Sequence, residues 1–477
     1  MTASQYCSQR VTSLSRRAAL QTLSAGFGYL AFAGLATAEA AAEGKKSLLA
    51  SRQPHFAAKA KRVIFLCMRG GPSHVDTFDY KPTLRQDHGR PSHYGAPWCA
   101  SSWKFQQHGQ SGLWISELFP HLAQHADKLC LLRGMHCDQP AHAQAFVQMH
   151  TGNFQMVRPS LGAWTLYGLG TENQNLPGFI SINPTTVNGG APNYGSAFPP
   201  AAYQGTKFTV QDGSARNRRI DQLRRGEVNP YGINNAVNEQ WTKPVQRAQL
   251  DLLAALHRQK LDSDIHNPLV EGAIENFELA FHMQDAVPQI MDLAQETPET
   301  LRLYGIDEDP TDGFGRQCLL ARRFVEAGVR FIELGHGTWD QHSNLQTALP
   351  ANCAEIDKPI AGLLADLQRR GLLQETLLVW GGEFGRTPYS PDGNGRDHNH
   401  KGYTTWFAGG GVKGGFSYGN TDEHGYEAIE NKMHIHDWHA TILHLLGLDH
   451  ERLTFRHASR EMRLTDVAGT VAKDILL

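Results

Sequence analysis

The sequence lacks several short motifs that mark common classes of protein. It has seven cysteines but no C-x-x-C pair, which argues against a structural zinc cluster, and it has no C-x-x-C-H haem motif. Gly70 and Gly71 belong to neither a dinucleotide-binding loop nor a Walker loop, and no G-x-S-x-G elbow occurs. Internal repeats and low-complexity segments are also missing. These absences disfavour a redox or electron-transfer protein and a Ser-His-Asp hydrolase.

An excess of charge of either sign is missing too. Without residues 1–42 the chain has 42 basic and 46 acidic residues, a net charge near −4 with histidine neutral. This balance gives no electrostatic reason to expect nucleic acid as a partner. What the chain does have is length, 40% hydrophobic residues and 24 histidines. It can therefore bury a large core, and it is rich in a residue that binds metals and carries protons near neutral pH.

Residues 1–42 are predicted to be an export signal and not part of the fold. Ser15-Arg16-Arg17 precedes an apolar run from Ala18 to Ala38, and small-residue cleavage sites lie at its end. The paired arginines are similar to a twin-arginine signal, a route that carries folded proteins, often with their metal in place. We therefore expect a periplasmic or secreted protein with no integral membrane segment after cleavage. An uncleaved anchor is the alternative, although the run is only moderately hydrophobic.

Five apolar runs are predicted to be buried strands of a mostly parallel sheet. They span Arg62–Met68, Lys128–Arg133, Val329–Leu334, Thr376–Trp380 and Thr404–Ala408, and Phe179–Ile182 is a shorter candidate. Helical spacing predicts helices at Gln246–Lys260, Leu269–Ala294, Pro298–Tyr304, Phe314–Ala327, Ile356–Arg370 and Trp438–Leu446, with Asp437 as the N-cap of the last. The alternation of strand and helix indicates an α/β fold. We expect a single domain over residues 43–477, with a long Gly-, Pro- and Asn-rich insertion around 160–245 that runs over the sheet.

Side chains of the kinds that bind metals follow these strands directly. In open α/β sheets ligands gather beyond the carboxyl ends of the strands, and carboxylates with imidazoles suit zinc or manganese. The candidate ligands are His74, Asp76, Asp340, His342, Glu383, His398 and His400. We expect these distant loops to fold back around one or two shared cations. Two alternatives stay open, a polar surface loop closed by histidine pairs for the stretch with Glu383, His398 and His400 and, for Asp76, the cap of a turn.

Three further side chains are candidates for the chemistry itself. Cys137 lies in the loop before a predicted helix, where free N–H groups and the helix dipole can lower the pKa of a thiol and make it a nucleophile. A small buried core residue is the alternative for Cys137. His142 is a candidate for substrate binding or proton transfer. Arg386 can bind a nonbridging oxygen or simply tie loops together, and a run of arginines between 216 and 225 either attracts an anionic substrate or forms a solvated face.

Four segments, RVIFLCMRGGPSHVDTFDYKP, HGTWDQHSN, GGEFGRTP and GRDHNHKGY, carry a resemblance to a known family. Through them almost the whole mature chain resembles the secreted proteins grouped as the domain of unknown function 1501 family, a branch of the alkaline phosphatase and sulfatase superfamily. The resemblance implies an alkaline-phosphatase-like three-layer sandwich whose central sheet is flanked by helices. It also implies that Glu383, Asp340 with His342, and His398 or His400 bind metal. The sulfatase motif C-x-P-x-R is not kept, because the segment at Cys137 has an extra residue and no arginine.

Together these observations predict an exported metal-dependent hydrolase of phosphate or sulfate esters with a non-standard nucleophile region. One or two divalent ions, zinc, calcium or manganese, would polarise an ester oxygen and activate water or a side chain. The expected partner is a small anionic ester or a sulfated glycan. The alternative from another class is a degenerate binding protein that keeps the fold but lacks a nucleophile. The sequence indicates no oligomeric state.

Overall fold

A computed structural model of the chain describes residues 47–210, 241–263 and 268–477. Leu48–Leu477 forms one compact unit. The predicted export signal at 1–42 and the arginine run between 216 and 225 lie outside the described residues. Within the described part of the chain, no helix combines the length and the apolar character needed to cross a bilayer.

A mixed sheet forms the centre of the fold and has nine strands among the described residues. They are β1 (Arg62–Met68), β2 (Leu129–His136), β3 (Phe179–Ile182), β4 (Thr206–Phe208), β5 (Phe331–His336), β6 (Thr376–Gly381), β7 (Tyr403–Gly409), β8 (Phe416–Tyr418) and β9 (Met433–His434). The order across the sheet is β8-β2-β7-β6-β1-β5-β3-β4, and β9 also pairs with β2. Only β7 is antiparallel to its neighbours among these strands, so the prediction of a mostly parallel sheet is confirmed.

Ten α-helices connect or flank these strands in the described residues. They are α1 (His74–Thr77), α2 (Pro82–Gln86), α3 (His142–Thr151), α4 (Leu161–Leu169), α5 (Lys243–Ser263), α6 (Pro268–Met291), α7 (Pro298–Leu303), α8 (Asp312–Glu326), α9 (Leu345–Arg369) and α10 (Ile435–Leu445). Short antiparallel hairpins pair Phe105–His108 with Leu113–Ser116, Gly385–Arg386 with His398–Asn399, Asn420–Thr421 with Ala428–Glu430, and Phe455–His457 with Arg460–Met462. Helix α9 carries the chain from β5 to β6, which lie on either side of β1.

Helices cover both faces of the sheet, and the side chains of β1 show the two layers. Val63, Phe65 and Cys67 belong to a core that includes residues of α3, α4 and α10. Ile64, Leu66 and Met68 belong to a second core that includes residues of α6, α8 and α9. Because successive side chains of a strand point to opposite faces, a strand buried on both faces is apolar throughout. The sheet is therefore the middle layer of a three-layer α/β sandwich, as predicted.

Two strands differ from expectation. β7 has the bounds of the predicted Thr404–Ala408 strand with one more residue at each end, but it runs against the others. β4 lies inside the insertion around 160–245, where we expected one strand, Phe179–Ile182, and otherwise long excursions over the sheet, and it pairs with β3 at the edge of the sheet. The insertion thus supplies two strands of the sheet as well as loops.

Two helix starts also differ. Helix α9 begins at Leu345 and not near Ile356, because Leu345, Leu349 and Cys353 continue the buried helical spacing through Pro350. The prediction of Asp437 as an N-cap is wrong by three positions. His434 occupies the N-cap of α10, and the Asp437 carboxylate accepts a hydrogen bond from the His434 backbone N–H at 2.9 Å, the arrangement of a capping box.

Candidate metal centre

Three connections of the chain, those after β2, β5 and β6, meet at one edge of the sheet. Asp340 follows β5 and Glu383 follows β6, at the carboxyl ends of two parallel strands. His142 opens helix α3, which follows the carboxyl end of β2. His398 precedes β7, but the amino end of an antiparallel strand lies at the same edge as the carboxyl ends of its neighbours. Residues far apart in sequence therefore meet at the edge where α/β proteins bind ligands.

The turn after β1 lets two of these loops approach closely. Gly70 has a φ of +111°, and a Cβ at this position would lie 2.7 Å from the backbone N of Asp340. The Gly70 N–H donates to both carboxylate oxygens of Glu383 at 3.1 Å. Only glycine combines this backbone conformation with so close a contact. The turn thus orients Glu383 and allows the Asp340 loop to lie against it.

Three histidines surround one carboxylate oxygen. The Nε2 atoms of His142, His342 and His398 lie 3.2, 3.1 and 3.3 Å from Oδ1 of Asp340. One potential ligand atom from each of these four residues lies within 4.8 Å of the others. Imidazole nitrogen and carboxylate oxygen are ligands of zinc and manganese.

The other ring nitrogen of each histidine has an acceptor of its own. His142 Nδ1 lies 2.7 Å from Glu383 Oε1. His342 Nδ1 lies 3.0 Å from a carboxylate oxygen of Asp397, and His398 Nδ1 lies 2.6 Å from the carbonyl oxygen of Pro140. Carboxylates and carbonyls accept hydrogen bonds, so a neutral ring that donates from Nδ1 to one of them presents an Nε2 lone pair to the centre. Metal-binding histidines are oriented in this way by their outer partners.

The electrostatics of the group also fit a cation. His342 Nε2 and His398 Nε2 lie 2.9 Å apart, and His142 Nε2 faces Asp340 without a hydrogen bond in the described residues. Lone pairs that face each other repel unless a proton or a metal ion lies between them. Burial raises the pKa of Asp340, but the guanidinium of Arg386 and the His142 ring outweigh it and hold that pKa well below its usual range. Asp340 is thus a carboxylate at any ordinary pH.

His142 and His398 differ in their affinity for protons. Burial lowers the pKa of His142, but the hydrogen bond and charge of Glu383, together with Asp340, outweigh this and raise it. Burial, Arg386 and His142 lower the pKa of His398. In the absence of metal, a proton that enters the cluster is therefore held first by His142.

Arg386 is fully buried and satisfies several acceptors at once. Its guanidinium donates to Asp340 Oδ1 at 2.6 Å, to the carbonyl of Gly71 at 2.9 Å and to that of Arg396 at 3.0 Å, and it also donates to the carbonyl of Gly70. These contacts favour the alternative in which Arg386 ties loops together and fixes the Asp340 carboxylate. Its binding of a substrate oxygen stays a prediction.

His74 and Asp76 lie in α1 and have partners outside the four-residue group. The Asp76 carboxylate is completely buried and pairs with Arg396 at 2.6 and 3.1 Å, and the Ser73 hydroxyl donates to it at 2.5 Å. His74 Nε2 lies 2.7 Å from the carbonyl oxygen of Gly425. The contacts of the Asp76 carboxylate and of His74 Nε2 hold loops together, whereas the buried Nδ1 of His74 has no hydrogen-bond partner in the described residues.

Cys137 and His400 line a cavity of about 390 Å³ that is lined by none of the four cluster residues. The Cys137 thiol donates to the carbonyl of Glu383 at 3.3 Å, and burial raises its pKa to about 12. A lowered pKa was expected from the helix dipole, but α3 begins only at His142, and Cys137 is buried in the apolar core. The geometry favours the buried-core alternative for Cys137.

Sequence reasoning missed the outer partners of the cluster. Asp397 was visible as an acid next to His398, and its role follows once His342 is placed beside it. The carbonyl of Pro140 and the backbone N–H of Gly70 leave no side-chain signal in a sequence. Phe384, which cannot bind metal, packs its ring 4.9 Å from that of His142 and 4.6 Å from that of His398 and limits their movement.

A family model described as a protein of unknown function, DUF1501, matches residues 60–476. The chain belongs to the DUF1501 family. The family resemblance carried by its four sequence segments is thereby confirmed. No curated protein matches this DUF1501 chain.

Several solved structures are similar to the DUF1501 chain at low identity. The lipoteichoic acid synthase LtaP from Listeria monocytogenes has 10% identity and a TM-score of 0.35, over 87% of this chain and 78% of that one. The PsFucS1 sulfatase from Pseudoalteromonas sp. has 14% identity and a TM-score of 0.31, over 84% and 69%. The alkaline phosphatase of the Antarctic bacterium TAB5 has 11% identity and a TM-score of 0.32, over 81% and 98%. Likeness at this level carries no argument about activity, which has to come from the residues themselves.

Proposed function

We propose that this chain is an exported metal-dependent hydrolase of phosphate or sulfate esters. One observation carries the proposal. Three histidines direct their Nε2 atoms to Oδ1 of Asp340, and each Nδ1 lies at hydrogen-bond distance from a carboxylate or carbonyl oxygen. A hydrogen-bonded surface loop has no need for three rings that converge on one oxygen and are each held by a second partner.

The residues present fit a divalent ion. His142, His342, His398 and Asp340 would hold it, a set of three nitrogens and one oxygen that suits zinc or manganese better than calcium, which prefers oxygen ligands. Such an ion supplies Lewis-acid chemistry, since it polarises a phosphoryl or sulfuryl oxygen and lowers the pKa of water. Glu383, Asp397 and the Pro140 carbonyl keep the rings oriented toward the centre.

The centre is open to solvent on one side, which a substrate requires. The side chains of Asp340 and His342 keep about 40% and 44% of their surface exposed. His142 and His398 are less exposed and close the other side. An anionic ester can therefore reach the cluster without a rearrangement of the core.

The neighbouring cavity offers groups that can move protons. His136 and His400 line it together with Lys401 and Lys432. Burial lowers the pKa of both histidines, so their rings are neutral at pH 7 and can accept a proton. Asp138 and Glu427 line the cavity too, and Lys432 lies 3.6 Å from Glu427, so the two lysines are balanced by two carboxylates.

Water is the nucleophile that the geometry supports. Cys137 is buried with a pKa of about 12, so it is protonated at neutral pH and its thiol already donates to the carbonyl of Glu383. A thiol is a poor nucleophile in this state. The same observation supports a second candidate function, a metal-binding protein of this fold that does not turn over esters.

Steady-state hydrolysis of nitrophenyl phosphate and nitrophenyl sulfate, measured beside metal content, separates these candidates. Asp340→Asn should lose turnover and the metal ion of this cluster, and His457→Gln, in a surface hairpin where its ring stacks on Phe198, should keep both. Stoichiometric metal without turnover of any ester would support the binding protein. A wild-type protein without metal would contradict both.

The export part of the proposal rests on Arg16 and Arg17. Fractionation of cells that express the full chain should find the wild type outside the cytoplasm. The double variant Arg16→Lys and Arg17→Lys should accumulate inside. Equal distribution of the two proteins would contradict a twin-arginine signal.

A further inference from the structure

We propose that the chain holds a second metal site, closed and structural, in which Cys67, His150 and Glu333 bind a zinc ion inside the core. Their potential ligand atoms lie within 4.8 Å of one another. All three residues are almost completely buried, with 1%, 4% and 3% of their surface exposed. This site shares no residue with the open cluster at Asp340.

Three elements of the sandwich bring these ligands together. Cys67 is on β1 and Glu333 on β5, neighbouring parallel strands in which Phe65 is paired with Glu333. Cys67 and Phe65 are two residues apart and share a face of the sheet, so Glu333 points to that face as well. Helix α3 packs on the same face and brings His150 onto it. The site thus lies between the sheet and the helix.

The orientation of His150 matches that of a metal ligand. Its Nδ1 lies 2.8 Å from the carbonyl oxygen of Phe146 and so carries the proton in the neutral ring. Its Nε2 lies 3.3 Å from Glu333 Oε2 but has no hydrogen-bond partner in the described residues. Ser181 donates to the other carboxylate oxygen of Glu333 at 3.4 Å. His150 and Glu333 are therefore each held by a hydrogen-bond partner outside the site, as the ligands of metal sites are.

Space for a fourth ligand is present beside His150 and Glu333. A small internal cavity of about 10 Å³ is lined by His150, Glu333 and Asn193, together with apolar side chains. This volume corresponds to roughly one water molecule. Oδ1 of Asn193 is buried and has no hydrogen-bond partner among the described residues. That oxygen or one trapped water can complete a tetrahedral set.

The donor set favours zinc. Thiolate, imidazole and carboxylate all bind zinc, at about 2.0–2.3 Å, which puts the ligand atoms of a tetrahedral site about 3.3–3.8 Å apart. Small side-chain movements would bring the ligand atoms of Cys67, His150 and Glu333, now within 4.8 Å of one another, to these distances. Zinc binding displaces the proton of the Cys67 thiol, and that of His150 where the ring is protonated, into solvent. The bound ion would fix α3 to the sheet, about 12 Å along the helix from His142, which opens the same helix.

Cobalt(II) substitution tests the site without any change to the core. The full chain is produced in cobalt medium both as wild type and as Asp340→Asn with His342→Gln, which disables the open cluster. Both proteins should show thiolate-to-cobalt charge-transfer absorption, because the open cluster contains no cysteine. In zinc medium the double variant should retain about one equivalent of zinc after dialysis against a chelator.

Variants of the buried cysteines and of His150 identify the residues that bind this metal ion. Cys67→Ser and His150→Gln should lose the absorption and the retained zinc, and Cys130→Ser, another buried thiol of the same core, should keep both. Cys137→Ser should also keep both, although Cys137 lies near Glu383. If the double variant retains no zinc and neither protein shows the absorption, the cluster is only a buried His150–Glu333 ion pair and the proposal is overturned. That result would leave the open cluster untouched.

Discussion

Replacing Asp76 by asparagine shows whether its carboxylate stabilises the fold or binds metal. Asp76 and Arg396 are both almost completely buried, and the guanidinium makes two contacts with the carboxylate at 2.6 and 3.1 Å. Removing one partner of a buried ion pair leaves an uncompensated charge and costs about 3–5 kcal/mol. We therefore expect Asp76→Asn to lose that much unfolding free energy in chemical denaturation, and to keep the wild-type metal content.

A double replacement provides the control for this prediction. In Asp76→Leu with Arg396→Met neither charge remains, so the protein should recover much of the loss, because apolar pairs of similar volume often replace buried ion pairs at little cost. The difference between the single and double variants measures the coupling. Wild-type stability of Asp76→Asn combined with loss of metal would refute the reasoning and return Asp76 to the ligand set.

Three other predictions concern the site and its supports. Cys137→Ser should change the rate of nitrophenyl ester hydrolysis less than about threefold, because a thiol with a pKa of about 12 takes no part as a nucleophile. Abolished turnover with intact metal content would contradict this prediction. Metal affinity, titrated from pH 7.5 down to 5.5, should fall at each step. Glu383 and Asp340 raise the pKa of His142, so a proton competes with the metal for its ring. A pH-independent affinity would exclude His142 as a ligand. Asp437→Ala should lower the free energy of unfolding by about 1 kcal/mol through loss of the capping box, and an unchanged denaturation midpoint would contradict the observed cap.

The layers of the fold were predictable because a strand that is buried on both faces is a continuous apolar run in the sequence. Arg62–Met68 and Phe179–Ile182 have the bounds expected from their apolar runs. The direction of β7 was not predictable, since an apolar strand reads the same whether its neighbours run with it or against it. β4 was hidden for another reason, because a three-residue edge strand in a Gly- and Pro-rich segment has almost no periodicity.

For the candidate site, the sequence indicated loops that do meet in the structure but not which residues form the four-residue group. Asp340, His342 and His398 were expected as ligands and lie together, and Glu383 lies behind His142 as its hydrogen-bond acceptor. His142 was expected only in catalysis, because nothing in the sequence shows that α3 starts beside the Asp340 loop. The pairing of Asp76 with Arg396 could not be predicted, since the two residues are 320 positions apart.

Anomalous diffraction from crystals of the metal-loaded protein tests the central claim most directly. We predict an anomalous peak at bonding distance, about 2.0–2.2 Å, from Nε2 of His142, His342 and His398 and from a carboxylate oxygen of Asp340. The opposite result would be ordered electron density for all four side chains, with no peak between them in crystals grown with excess zinc or manganese.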